Sequence, residues 1–115
     1  MKFKESAKIE LLHPELLNVL KKIDEYSLKY LDYEITVTSG HETTSKHSDR
    51  SKHYIKNNPS GFGCAIDLRI NDLNIRQGLS WFVNIWGVFI NRKDILIIPE
   101  YFALPNRHIH IQVNL

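Results

Sequence analysis

The residues His108-Ile109-His110-Ile111-Gln112-Val113-Asn114-Leu115 alternate polar and apolar side chains and set two imidazoles two positions apart. Successive side chains of a strand point to opposite faces, so His108, His110 and Gln112 share one face and Ile109, Ile111, Val113 and Leu115 the other. Two imidazoles on a rigid strand suit a transition-metal site, whose ligands must be held in place. A solvated polar strand face carrying two histidines would read the same way, so the pair needs a third partner.

Candidates lie between residues 38 and 70, a stretch that contains Ser51-Lys52-His53-Tyr54 and Gly63-Cys64-Ala65-Ile66-Asp67-Leu68-Arg69-Ile70. From Cys64 the alternation resumes: Cys64, Ile66, Leu68 and Ile70 take one face, Ala65, Asp67 and Arg69 the other. Asp67 then turns away from the apolar side, as His110 does. His53, Asp67 and His110 make two imidazoles and a carboxylate, three protein ligands with a fourth position left for water, as in a catalytic zinc site. Imidazole and carboxylate accept several divalent metals, so the donor set alone does not choose zinc.

The order Ser51-x-His53, Gly63-x-Ala65-x-Asp67-Leu68 and His108-x-His110 resembles the signature of the M15-type zinc D-Ala-D-Ala carboxypeptidases and L-Ala-D-Glu endopeptidases, and the wording looks most like their small phage and bacterial members. The resemblance covers roughly residues 35 to 114. It implies a Hedgehog/DD-peptidase-like fold, zinc held by His53, Asp67 and His110, and a peptidoglycan stem or cross-bridge peptide as substrate. It also implies Glu100 as catalytic carboxylate, with Asp94 as second choice, His108 as the histidine that steadies the transition state, and Ser51 as a substrate-positioning residue. A non-catalytic zinc-binding phage structural or peptide-binding module of the same fold is the alternative.

Two departures from the family pattern bear on substrate. His53 and Asp67 stand fourteen residues apart where many members have seven, with Ile55 to Ser60 inserted as a surface loop. Many members also carry an arginine shortly after the Ser-Gly, whereas Ser39-Gly40 is followed here by His41-Glu42. Arg50, Arg69 and Arg107 are the replacements on offer, and Arg69 shares the face of Asp67.

The remaining conspicuous residues have plainer readings. His47, in a Ser/Thr/Lys-rich loop, reads as solvated or, functionally, as a substrate contact or a substitute for His53; His41 reads as solvated too. His13 precedes Pro14 and belongs to a helix entry. Ile75, Leu79, Phe82 and Trp86 repeat at helical spacing and read as core. Cys64 reads as a small buried hydrophobe.

These residues need elements to position them. The pattern predicts a helix from Pro14 to about Leu31 with Leu16, Leu20, Ile23 and Tyr30 inward, and a strand 34–38 with Ile35 and Val37 inward. A long polar loop 39–63 follows, then strand 64–70, helix 74 to about 87, strand 94–98 and the terminal strand. Together they predict an α+β domain: helices packed on one face of a mainly antiparallel sheet, the zinc site on the other.

A chain of 115 residues with 43% hydrophobic residues supports one domain, 1–115, and one core. A net charge of +2 is too small for a nucleic-acid partner, and the lysines of the first helix have acidic neighbours. The single cysteine excludes an intramolecular disulfide. No stretch approaches a transmembrane helix, and the first residues hold no signal-peptide core. The expectation is a monomer made in the cytoplasm that reaches the cell wall, if phage-encoded, through lysis or virion packaging.

Overall fold

A computed structural model describes residues 1–41, 51–102 and 104–114. Its elements are β1 (Lys2–Phe3), α1 (Pro14–Leu31), β2 (Thr36–Ser39), a 3-10 turn (Ile55–Asn57), β3 (Ala65–Arg69), α2 (Ile75–Val88), β4 (Ile95–Glu100) and β5 (His108–Val113). The strands form one mixed sheet in the order β1-β2-β3-β5-β4, with β1 parallel to β2 and every other pair antiparallel. The architecture is α+β.

The register explains the two faces. Val37 pairs with Leu68, Leu68 with Ile109, and Ile66 and Ile97 with Ile111, so these apolar residues share one face. They are buried in one cluster with Leu16, Val19, Leu20 and Ile23 of α1 and with Trp81 and Ile85 of α2. Both helices therefore cover that face, and the other is left to Asp67, His108 and His110.

Helix α1 starts and stops where its residues say it should. Pro14 occupies its first turn, His13 Nδ1 accepts the Glu15 N–H at 3.0 Å, and Asp32 closes the helix in the left-handed region at φ 49°. Tyr30, expected inward, is exposed and packs its ring beside Tyr26. Ser27 is buried instead, because its hydroxyl accepts Trp81 Nε1–H at 2.9 Å and donates to the Tyr33 carbonyl at 2.6 Å.

Helix α2 opens on a capping box between Asn74 and Gln77. Its expected core stripe is displaced: Gly78, Trp81 and Ile85 are buried, whereas Ile75, Leu79 and Trp86 are exposed. Apolar residues cover much more of this helix than the sheet can bury, so periodicity found an apolar stripe but the neighbouring one faces the core.

Strand limits also moved: β2 spans Thr36–Ser39 where 34–38 was expected. β4 continues through Pro99 to Glu100, which proline allows because β4 is an edge strand and needs no second set of ladder donors. The two-residue β1 had no periodic signal to announce it. Among the described residues no helix is long and apolar enough to cross a membrane.

Candidate metal centre

Strand pairing brings the predicted residues together. Asp67 stands opposite His110 and Arg69 opposite His108 across β3 and β5; Ile98 stands opposite His110 and Glu100 opposite His108 across β4 and β5. Facing residues of an antiparallel pair share a face with Cβ atoms about 5 Å apart. Glu100 was expected just beyond its strand; as the last residue of β4 it lies directly beside His108.

His53 arrives from the segment that crosses this face. Its N–H donates to Ser51 Oγ at 3.1 Å, and Cys64 N–H ties the neighbouring Lys52 carbonyl at 3.0 Å. Buried Asn58 staples the loop, its Nδ2 donating to the carbonyls of Lys52, Tyr54 and Phe62 at 3.0, 3.0 and 2.8 Å. The stretch 55–60 therefore carries a 3-10 turn folded around Asn58 rather than a simple bulge. The imidazole is fixed by Nδ1–H donating to the Gly40 carbonyl at 2.8 Å. Gly40 must be glycine, since a Cβ there would sit 1.8 Å from the Lys8 carbonyl oxygen.

The tautomers decide what these rings offer. A carbonyl only accepts, so His53 carries its proton on Nδ1 and turns Nε2 toward Asp67 Oδ1, 3.4 Å away. The Gln112 amide donates to Asn114 Oδ1 at 2.6 Å, which leaves its oxygen to accept His110 Nε2–H at 3.0 Å. His110 Nδ1 then faces the same Asp67 Oδ1 at 3.2 Å. Two ring nitrogens thus converge on one carboxylate oxygen, and the contact is favourable only with a cation, a proton or a metal ion, among them.

A tetrahedral ion bound at about 2.0–2.1 Å would hold its ligand atoms about 3.3 Å apart, which matches both separations. One ligand atom from each of His53, Asp67 and His110 lies within 4.8 Å of the others, as does one from each of Asp67, Glu100 and His108. The residues fit a divalent metal, and no ion's identity follows from them.

Electrostatics agrees. With protons rather than a metal ion between the rings and the carboxylate, burial pushes the Asp67 carboxyl up, but the hydrogen bonds that protonated His110 and His53 then donate and the charges of His53 and His108 outweigh it and hold the group well below the usual carboxylate range. Burial pulls His110 down, yet the Asp67 and Gln112 hydrogen bonds prevail and raise it above the ordinary imidazole value.

The cluster is closed below and open above. His53 and Asp67 are buried, while the His108 and Glu100 side chains are 20% and 39% exposed. His108 Nδ1–H donates to the Asn106 carbonyl at 3.2 Å, and Nε2 stands 3.1 Å from Glu100 Oε1 and 3.8 Å from Asp67 Oδ1. Arg69 is exposed on the same face, and the Tyr101 ring lies 5.7 Å from His108.

Other expectations fare differently. His47 and Arg50 lie outside the described residues. Asp94 precedes β4 and pairs with Arg92 at 2.7 Å, so it sits at the wrong end of the strand to serve the site. Arg107 donates to the Leu73 and Asn71 carbonyls and is tied to the turn before α2. His41 is buried rather than solvated: its N–H bonds the Lys8 carbonyl and its Nε2 lies 3.1 Å from Glu10. Cys64 is buried as expected. Gly40 was expected only in the turn after the strand, and Asn58 and Gln112 had no assigned role. Only Gln112 carried a signal, its place in the alternation beside His110.

No family model, curated protein or solved structure matches this chain.

Proposed function

We propose that the protein is a zinc-dependent peptidase acting on peptidoglycan stem or cross-bridge peptides, with the Hedgehog/DD-peptidase-like fold that its motifs suggest. The supporting observation is the convergence of His53 Nε2 and His110 Nδ1 on Asp67 Oδ1, with the Glu100–His108 pair beside it on the open side. The motif order supplies the substrate class.

His53, Asp67 and His110 would hold the ion. Bound zinc lowers the pKa of water and polarises the scissile carbonyl. Glu100 Oε1 is the acceptor at the rim: it takes a proton from the attacking water and delivers it to the amine nitrogen as the C–N bond breaks, a role worth typically ~10²–10⁴-fold. His108 spends Nδ1–H on Asn106, so only its imidazolium form can donate from Nε2. In that form it pairs with Glu100 and stabilises charge developing on the carbonyl oxygen. Arg69, one row from the ligands and exposed, offers a guanidinium to a substrate carboxylate.

The decisive experiment is digestion of purified sacculi by zinc-loaded protein, with release of new amino termini as the readout. Glu100→Gln should retain zinc and lose activity by at least ~100-fold. Full turnover in that variant would remove Glu100 from its role. A second reading, a peptide-binding module without catalysis, has one observation in its favour: His41, at the position following Ser39-Gly40, is turned inward to Glu10 and gives the site no cation. Zinc retention with no bond cleaved in any wall peptide would favour it.

A further inference from the structure

His108 is held in the same way as the two ligand histidines. A ligating imidazole typically donates the N–H of its other ring nitrogen to a carbonyl, carboxylate or water, which fixes the tautomer and aims the remaining lone pair. His53 gives Nδ1–H to the Gly40 carbonyl, His110 gives Nε2–H to Gln112 Oε1, and His108 gives Nδ1–H to the Asn106 carbonyl at 3.2 Å. The third ring therefore also carries an aimed lone pair, on Nε2. It faces Glu100 Oε1 at 3.1 Å and Asp67 Oδ1 at 3.8 Å, and both oxygens accept.

At the rim, then, the convergence on Asp67 occurs a second time. A neutral ring nitrogen and a carboxylate oxygen repel at such distances, so a cation belongs between them. A proton can join only one pair of the three atoms, whereas a divalent ion takes all three, and one ligand atom from each of Asp67, Glu100 and His108 lies within 4.8 Å of the others. The 3.1 Å between Glu100 and His108 is close to the separation of about 3.3 Å that tetrahedral ligands keep. Asp67 can serve both sets, because an ionised carboxylate has two oxygens and about four lone-pair sites. The two sets differ in depth: His53 and Asp67 are buried, while the His108 and Glu100 side chains are partly exposed.

We propose that the cluster takes a second divalent ion, held by Glu100, His108 and Asp67, with Asp67 bridging it to the ion of His53 and His110, and that this weaker ion inhibits the protein. The site stands on the geometry of the rim; its inhibitory effect rests on the peptidase reading. Glu100 Oε1 and His108 Nε2 are the atoms to which that reading gives proton transfer and stabilisation of the carbonyl oxygen, and an ion bound between them engages both. Free zinc would then set a window of activity, on through the first ion and off through the second.

The test is a calorimetric titration of the metal-free protein with zinc chloride, with imidazole ¹⁵N resonances followed in parallel. Two steps are expected, the second at least ~10-fold weaker because two dications repel across one carboxylate. His53 and His110 should shift in the first step and His108 Nε2 in the second. Glu100→Gln, an isosteric change at an exposed side chain, and His108→Ala should each keep the first step and lose the second. Saturation at one ion per chain, a second step that survives in both variants, or a His108 resonance that stays still overturns the site and leaves the peptidase reading to the sacculus assay. A chain that takes up no zinc overturns both. Digestion of sacculi that rises with the first equivalent and falls with the second supports the inhibitory role; digestion that holds its rate through the second step overturns that role. Two-step binding with no wall peptide cleaved at any zinc level overturns the peptidase reading and supports the site.

Discussion

Gln112 Oε1 accepts His110 Nε2–H at 3.0 Å, on the opposite side of the imidazole from Asp67. That one bond chooses the tautomer and aims Nδ1 at the carboxylate. Partners of this kind are typically worth ~10–100-fold in metal affinity. Gln112→Leu should lose zinc affinity by that factor in a chelator competition, with little change in melting temperature of the metal-free protein. An unchanged affinity would mean that the ring is oriented by something else.

Gly40 serves the fold and the site through one peptide unit. Gly40→Ala drives a methyl into the Lys8 carbonyl and displaces the oxygen that His53 Nδ1 needs. We expect a loss of more than about 2 kcal/mol in urea unfolding, together with weakened zinc retention. Gly87→Ala is the control: nothing lies within 4 Å of the added methyl, and alanine should be neutral or stabilise α2 by up to ~1 kcal/mol.

Ser27→Ala leaves Trp81 Nε1–H buried without its acceptor and costs about 1–3 kcal/mol. The damage should stop at stability. Zinc affinity, read on the folded fraction, should stay at the parent value, because the Trp81–Ser27 link lies among the helices on the other face of the sheet.

The two shifted groups at the centre define a pH window for the metal-free protein. Asp67 is depressed, so its contribution is present above the unfolded carboxylate value of about 3.9 and is lost as pH falls through the folded one. His110 is raised, so its contribution is complete below about 6.5 and is lost as pH climbs through the folded value. Under the proposed function, zinc held by His110 would have to displace its proton, so affinity should rise with pH across that range. Calorimetry in buffers of different ionisation enthalpy should find up to about one proton released per ion near neutrality. Binding with no proton release there would contradict the assignment of His110 as a ligand.

The site was more legible than the fold around it. Period-two alternation alone paired His108 with His110 and turned Asp67 to their side, because a half-buried strand writes its faces directly into sequence. Helix α2 shows the limit of the same logic. With apolar residues at 75, 79, 81, 82, 83, 85, 86 and 88, several stripes qualify, and only the position of the sheet selects Trp81 and Ile85 over Leu79 and Trp86. His41 and Ser27 illustrate another gap: polar type argues for solvent, but both are buried, His41 against Glu10, 31 residues away, and Ser27 against Trp81, 54 residues away. Asn58 and Gly40 act through backbone carbonyls, which leave no trace in side-chain patterning.

The antiparallel pairing of β3 with β5 has a kinetic consequence. Asp67 and His110 are 43 residues apart in the chain and meet only when the central ladder closes. Such long-range closure comes late relative to local helix formation. An ion that needs both groups would therefore bind once this ladder has closed. It would be captured after the sheet is complete, and because the cluster is open on one side, global opening read from the slowest-exchanging amides of β3 and β5 should set only the upper limit on how long the protein retains it.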